Sequence, residues 1–584
     1  MLDTNLKAWS VAVLITVLTG SGQPSSADEK QAVKVPQAWT GVLDVGAAKL
    51  RLRIDISQDK SGKLKCIMTS VDQGNARIPM DSCTVTNGKL QFQSKRLTIV
   101  YQGTYKNNNT QVEGKFTQAG RSYNLNFKAA KPPEPTTHVA TWQGTMKAGN
   151  RSFEFQFRVL ETKAKKRSVE LDSFSENIGG LQVDSTFDDQ GVTFKIAVTK
   201  AEYRGKYNPD KTQLDGHWHQ SGGKFPLVLK KVPLASTRSV QPPKRPQTPQ
   251  EPFSYKAEDV QFENSAAEVK LAGTLTTPLG KGPFPAVVLI TGSGPQDRDE
   301  TLMEHKPFWV LAHHLSSSGI AVLRYDERGV GQSTGKFSEA NSEDFARDAE
   351  AAIDYLKQHP QIDPHKIGLL GHSEGGYIAP MIAARRADLA FIVLLAGTGV
   401  PGDQIILNQS EKIGRAAGKS EEDLELNRRI QQTLFQAIRS ANGKDVQQTA
   451  TNAYDVFVTS LPENQQTQTA VQQGKQAISG MTSRWFLFFL TYDPRPALRR
   501  VACPTLVLNG AKDLQVDPEL NLPEIRKALS SSGNTRFQIH ELPNLNHLFQ
   551  TATTGAPSEY RQIEETIAPV ALDLVSDWIC ETVK

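Results

Sequence analysis

Apolar and polar positions change rhythm along this chain of 584 residues. From Val35 to about Val232 no helical periodicity appears; short runs alternate apolar and polar residues and break at Asn, Gly and Lys turns, the pattern of antiparallel strands. Beyond about residue 254 the strands become short, wholly apolar runs: Ala286 to Ile290, Ile320 to Tyr325, Ile367 to Leu370, Phe391 to Ala396, Thr505 to Asn509 and Phe537 to Leu542. Between them, Asn341 to His359 reads as an amphipathic helix with Phe345, Ala349, Ala352, Ile353 and Leu356 on one face, Ser342 able to cap its start and Pro360 just past its end. Strands alternating with helices predict an α/β class with a doubly wound, mainly parallel sheet, covered on both faces by right-handed crossovers. From Gly402 to about Pro494 the pattern turns to polar helices rich in Gln, Glu and Arg, which predicts an inserted helical cap at about 403–494. The cap ends in Trp485-Phe486-Leu487-Phe488-Phe489-Leu490, which either lines an acyl pocket over Ser373 or packs the cap on the sheet.

The β-rich part repeats. Trp39-Thr40-Gly41 recurs as Trp142-Gln143-Gly144, and Gly103-Thr104-Tyr105, Gln111, Gly114, Gln118 and Gly120 recur at an offset of 102 as Gly205-Lys206-Tyr207, Gln213, Gly216, Gln220 and Gly222. Two antiparallel β units, 35–132 and 138–232, each a small barrel or sandwich, are the simplest account. His217, Trp218 and His219 fit ordinary alternating strand positions better than a metal or sugar site. The proline-rich stretch 233–253 is expected to be a semi-extended spacer before a large domain at 254–584.

One apolar run leads into chemistry. Ile367 to Leu370 is followed by Gly371-His372-Ser373-Glu374-Gly375 and then by a helix-compatible run, Tyr377 to Arg385. A serine hydroxyl is a poor nucleophile at neutral pH, so it must be lifted on a tight strand-to-helix turn to meet a base and a carbonyl. Gly371 and Gly375 make that turn sterically possible. The partners follow in the order serine, acid, histidine. Asp513 lies on the loop after Thr505 to Asn509, and His547 lies on the loop after Phe537 to Leu542. His547 is the expected general base and Asp513 the group that fixes its tautomer. Asp517 is the rival acid, but it precedes Pro518 and resembles a helix start; His540 inside a strand and His372 inside the elbow are not placed to act as base. An oxyanion hole is expected from the backbone NH of Glu374 and that of Ser293, with Gly294 next, in Thr291-Gly292-Ser293-Gly294-Pro295. That turn lacks the Lys-Ser/Thr of a phosphate loop.

These motifs, together with Gly292-Ser293-Gly294-Pro295-Gln296-Asp297-Arg298-Asp299, Asp326-Glu327-Arg328-Gly329-Val330-Gly331-Gln332-Ser333 and Asn509-Gly510-Ala511-Lys512-Asp513-Leu514-Gln515-Val516, resemble the α/β-hydrolase superfamily, within its serine aminopeptidase-like (S33-type), EstD-type carboxylesterase branch. The resemblance covers residues from about 255 to the end. It departs from many lipases and esterases at Thr291, where those carry histidine.

Composition narrows the partners. The chain has 67 basic and 62 acidic residues, an excess of five, and no dense basic run interleaved with aromatics, so nucleic acid is a poor partner. No His-Glu-x-x-His or Cys-x-x-Cys pattern points to a metal, and no cofactor is implied. Lys7, the apolar stretch Ala8 to Leu18 and Ser25-Ser26-Ala27 predict a signal peptide at 1–27 and export to the periplasm or the extracellular space; a membrane contact follows only where that segment stays uncleaved. Four cysteines in an exported chain allow the pairs Cys66 with Cys83 and Cys503 with Cys580, with Cys503 a buried free thiol as the alternative. The expected activity is hydrolysis of carboxylic esters by a metal-independent serine carboxylesterase acting on a small-molecule ester. Peptidase or thioesterase action on the same triad is the enzymatic alternative, and binding of a surface polymer or lipid by the β repeats the non-enzymatic one. A peptidase needs an acidic anchor for an amino terminus; Glu374 is the tempting residue, against a side chain simply solvated at the elbow.

Overall fold

The computed structural model describes residues 38–584, apart from 45–48, 59–62, 72–75, 87, 95–98, 119–120, 131–133, 135, 149–150, 177, 197–198, 221–222, 241–242, 442, 463–477 and 532. The expected signal peptide at 1–27 lies outside the described residues. Among them, no helix is long and apolar enough to cross a membrane. The described chain divides after Pro243 into two compact units.

The first unit begins with strands β1 (Ala38–Asp44), β2 (Lys49–Gln58), β3 (Leu64–Ser70), β4 (Ala76–Pro79), β5 (Ser82–Thr86), β6 (Lys89–Ser94), β7 (Ile99–Lys106), β8 (Gln111–Gln118) and β9 (Arg121–Ala130). They form one sheet in the order β4-β3-β2-β1-β9-β8-β7-β6-β5. Cys66 on β3 and Cys83 on β5 are joined by a disulfide with their Cα atoms 5.7 Å apart, so the sheet curls until its two margins meet. Eight further strands, β10–β17, run from Thr136–Ala148 to Gly223–Val232 and make a closed barrel, with Trp142 of the first strand paired to Lys231 of the last. Trp142, Phe155, Phe157, Phe194, Tyr203 and Trp218 fill its interior. His217 and His219 flank Trp218 on the opposite side of their strand, their rings 6.5 Å apart.

The positions that recur in sequence carry matching contacts. Trp39 packs on Tyr105 at 5.5 Å between ring centroids, and Trp142 on Tyr207 at 5.9 Å. Tyr101 and Tyr203 are fully buried, and their hydroxyls donate to main-chain carbonyls at 3.1 Å. A side chain at Gly103 or Gly205 would collide with those tyrosine hydroxyls, which accounts for glycine at both places.

The stretch expected as a spacer is anchored at both ends instead. Leu234–Ser236 forms a short 3₁₀ turn, Thr237 Oγ1 lies 2.6 Å from Thr141 Oγ1, and the Arg238 main chain bonds Gln156. Arg245 donates to the carbonyls of Met303, Arg561 and Ile563, while Gln247 bonds the main chain of Thr566 and Ile567. Proline denies this segment regular structure, yet its polar groups find partners on the unit beside each end.

The second unit holds β18 (Tyr255–Asn264), β19 (Val269–Pro278), β20 (Phe284–Ile290), β21 (Ala321–Tyr325), β22 (Ile362–His372), β23 (Phe391–Leu395), β24 (Thr505–Gly510) and β25 (Phe537–Leu542) in the order β18-β19-β21-β20-β22-β23-β24-β25. The pairs from β21 through β25 are parallel; β18 with β19 and β19 with β21 are antiparallel. Alternate residues of β20 enter different cores. Ala286, Val288 and Ile290 join Phe345, Ala349, Ala352, Ile353 and Leu356 of a helix over Ser342–Lys357. Val287 and Leu289 join Phe308 and Leu311 of the helix Pro307–Ser317 and Leu572 and Val575 of the helix Pro569–Thr582. Burial on both faces is why these strands read as unbroken apolar runs. The helix at Ser342–Lys357 is capped by Asn341 rather than Ser342: Asn341 Oδ1 accepts from the NH of Glu343 and Asp344, and the Asp344 carboxylate accepts the Asn341 NH. Ser342 is turned inward.

The helices Gly402–Ala416, Glu421–Ser440, Val446–Thr459 and Arg484–Thr491 form the cap, and Leu434, Phe435, Ile438, Tyr454 and Leu490 give it a small core of its own. Its terminal aromatics are half-buried packing against the sheet domain: Trp485 stacks on Phe489 at 5.4 Å, and Phe489 lies 6.2 Å from Tyr377. Cys503 and Cys580 are free thiols, so the second expected disulfide does not form. Burial pushes the Cys503 thiol up to about 11, and Cys580 Sγ donates to the Ser318 carbonyl at 3.6 Å.

The Cys66–Cys83 bridge closes a loop with a sequence separation of 17, for which chain entropy gives about 3 kcal/mol. Cys66→Ala with Cys83→Ala is expected to lower the unfolding free energy of the first unit by about that amount, read from urea transitions followed by Trp fluorescence.

Candidate active site

Parallel pairing of β20, β22, β24 and β25 through β23 brings their carboxyl ends to one edge, and the loops leaving those ends carry every residue of the site. At the end of β22 the chain turns into a helix at Gly375–Ala383. Ser373 occupies that turn with φ +53°, its NH donating to the Leu395 carbonyl at 2.8 Å and its carbonyl accepting from Gly376 at 2.9 Å. The backbone closes so tightly that a side chain on Gly371 would run into the Gly375 carbonyl, and one on Gly375 into the Ile290 carbonyl. Ser373 itself is partly exposed.

Asp513 and His547 are both buried, and His547 Nδ1 lies 2.8 Å from Asp513 Oδ2. Asp513 Oδ1 accepts from the NH of Gln515 at 2.8 Å and of Val516 at 2.9 Å, which fixes the carboxylate against its own loop. The rival Asp517 faces elsewhere: its carboxylate accepts from Asn408 at 3.1 Å and pairs with Lys412 at 2.8 Å, both on the first cap helix. His540 is turned to Gln538 at 3.3 Å. Among the described residues no hydrogen bond joins Ser373 Oγ to His547. His372 brings the two loops together, because its ring lies 5.0 Å from that of His547 and its Nε2 is 3.0 Å from the His547 carbonyl.

The loop after β20 crosses the elbow at van der Waals distance. A Cβ on Gly292 would lie 3.3 Å from Ser373 Cβ, and the Gly375 NH donates to the Thr291 carbonyl at 3.1 Å. Among the described residues neither the Ser293 NH nor the Glu374 NH has an acceptor. Two unmated main-chain donors thus flank the serine. Thr291 Oγ1 donates to Glu327 at 2.6 Å, which occupies this threonine in holding the loop.

The Glu374 side chain is buried rather than solvated. It accepts from Ser342 Oγ at 2.6 Å and from Trp485 Nε1 of the cap at 2.9 and 3.0 Å. Burial raises its pKa, opposed by the hydrogen bonds of Ser342, Trp485 and Ser293. Sequence reasoning gives Glu300 and Glu327 no role of their own, and it reads Ser342 as a helix cap and Trp485 as part of an aromatic run rather than as partners of Glu374. Glu327 stands inside Asp326 to Ser333 and Glu300 one residue past Asp299, but nothing in spacing alone says that a carboxylate points inward.

The His547 loop has its own support. Asn546 and Gln550 bond each other through side chains at 3.0 Å, and Gln550 Nε2 lies 3.0 Å from His305 Nε2. His305 is 1 % exposed, with Nδ1 2.9 Å from Thr566 Oγ1 and Nε2 3.0 Å from the Tyr560 carbonyl.

Residues 306–551 match the family described as serine aminopeptidase, S33. Esterase EstD of Thermotoga maritima is 28% identical over 334 residues, covering 56% of this chain and 68% of its own length. Thiohydrolase apmlB of Arthrinium phaeospermum is 32% identical over 146 residues, covering 25% of this chain and 44% of its own. A solved structure of the Pyrococcus furiosus esterase Pf2001 aligns with TM-score 0.33 and 15% identity over 56% of this chain and 93% of that one.

Burial, reinforced by the charge of Arg245, lowers the His305 pKa to about 4. Unfolded His305 therefore takes up a proton below about pH 6.5 while the folded form does not, so its contribution is complete above that pH and falls away between there and about 4. The hydrolase unit is expected to lose up to about 3 kcal/mol over that interval from this group, and His305→Gln to flatten the slope, as measured by urea unfolding across a pH series.

Proposed function

From the match of residues 306–551 to the family described as serine aminopeptidase, S33, we propose that the protein is an exported serine carboxylesterase of the α/β-hydrolase superfamily, working through an acyl-enzyme. The observation that carries the reading is the buried Asp513–His547 pair at 2.8 Å, on the loops beside a serine held at positive φ. Ser373 Oγ attacks the ester carbonyl as His547 takes its proton, with Asp513 holding the ring in the tautomer that leaves Nε2 free. The tetrahedral oxygen is met by the Ser293 and Glu374 NH groups. His547 returns the proton to the departing alcohol; water, activated by the same ring, then releases the acid. This scheme uses no metal. The sheet around these loops is read as doubly wound and mainly parallel. Export is proposed from the pattern at 1–27, and the Cys66–Cys83 bridge suits an oxidising compartment.

The name of the thiohydrolase relative favours one second reading, a thioester substrate on the same triad. An aminopeptidase is less well supported: the carboxyl of Glu374, the acid beside Ser373, is buried and hydrogen-bonded by Ser342 and Trp485.

Ser373→Ala is expected to abolish nearly all turnover and Asp513→Asn to lower kcat by about 10⁴. Short p-nitrophenyl esters are expected to outpace aminoacyl anilides, and turnover to persist after treatment with a chelator. Faster anilide cleavage would reverse the order of ester and peptide; a short acyl thioester assayed alongside separates the third class.

A further inference from the structure

His372, the residue before the proposed nucleophile, is 7 % exposed and lies between two acceptors. Its Nε2 is 3.0 Å from the His547 carbonyl, an oxygen that only accepts, so Nε2 carries a proton. Its Nδ1 is 2.9 Å from Glu300 Oε1, and that same oxygen already accepts the Gly292 NH at 2.7 Å. A neutral imidazole has one N–H and cannot serve both sides; an imidazolium beside a carboxylate can.

We propose that His372 and Glu300 form a standing imidazolium–carboxylate pair that positions the hydrolytic machinery, tying the oxyanion loop at Gly292 and the base loop at His547 to the elbow that carries Ser373. The inference rests on Ser373 being the nucleophile. It makes His372 and Glu300 positioning residues: neither touches the reacting atoms, and each acts through main chain next to the groups that do. The two tethers start one residue from Ser293, whose NH is assigned to the oxyanion hole, and at the carbonyl of the base itself. A pair with both members buried is also the arrangement in which removing one partner leaves the other's charge stranded.

The groups facing the ring agree with the charged form. Glu300 approaches from the oxyanion loop, His547 and behind it Asp513 from the base side, and the Phe549 ring at 6.5 Å supplies an apolar wall. Burial works against a charged ring, but the Glu300 carboxylate, the His547 carbonyl and Asp513 outweigh it and lift the His372 pKa above its ordinary value. Glu300→Gln is not a mild change at this spot. Gly292 needs an oxygen where the two bonds converge, and a neutral His372 Nδ1 needs an N–H there, so one amide atom cannot supply both.

The test uses the full chain labelled with ¹⁵N-histidine, with the His372 signals identified by their loss in His372→Asn. In the wild type both ring nitrogens are expected to be protonated at pH 7.5, and in Glu300→Gln the ring is expected to be neutral. Turnover of p-nitrophenyl acetate, normalised to the sites that a fluorophosphonate labels, is expected to fall about 10- to 100-fold in kcat with KM within about threefold for Glu300→Gln and for His372→Asn. The double variant is expected to lose no more than either single one. A neutral wild-type ring, or unchanged kcat per titrated site in either variant, overturns the proposal. With His372 assigned through His372→Asn, the wild-type spectrum decides the matter even where Glu300→Gln does not fold. Failure of the fluorophosphonate to label Ser373 in the wild type would instead overturn the nucleophile assignment, while the ring's protonation is still read.

Discussion

The site depends on one backbone constraint, the left-handed conformation of Ser373. For a residue with a β-carbon that region costs on the order of 1–3 kcal/mol and persists only where surrounding contacts determine it. Here the contacts are main-chain bonds on both sides: Ser373 NH to Leu395, Gly376 NH to the Ser373 carbonyl, Gly375 NH to Thr291. The helix that follows is buried along its whole length, so the turn cannot relax by letting the helix swing outward. Because the neighbouring strands are parallel, fixing this turn also fixes which loops surround it.

The large features were legible because they rest on repeated, local signals. Apolar runs marked strands with two buried faces, a periodic stripe marked the helix behind them, and the chain order of serine, acid and histidine picked out Asp513 and His547, which the structure brings within 2.8 Å of each other. The β units were legible for a similar reason, since Trp39 with Tyr105 and Trp142 with Tyr207 are the same packing solution written twice. Asn341 took the cap from Ser342 by a shift of one residue, which periodicity cannot resolve.

Polar residues whose partners are remote in the chain were not legible. Glu374 meets Trp485 across 111 residues, and His372 meets Glu300 across 72 and the His547 carbonyl across 175. Sequence pattern reports that a position is buried; which donor faces which acceptor emerges only after the loops are folded together. The cysteines show the same divide. Cys66 and Cys83 sit in one short meander and join, whereas Cys503 and Cys580, in distant segments, remain thiols.

Three buried carboxyl groups hold the loop and the turn that carry the proposed oxyanion donors, and their treatment makes sense in that light. In the proposed reaction, an uncompensated carboxylate there would oppose the developing oxyanion just as the two proposed NH donors stabilise it. Glu300 is matched by His372 at 2.9 Å. Glu327, bonded to Thr291 and Gln296, has its pKa raised well above the ordinary value by burial, with Glu374 and Glu300 adding to the rise, which favours the neutral acid. Glu374 is raised in the same direction and hydrogen-bonded by Ser342 and Trp485. Each carboxyl can therefore hold a loop, a turn or the cap in place without setting a bare negative charge against the reaction. That is a reason for such groups to be buried at the edge of a site with the proposed chemistry, which creates an anion.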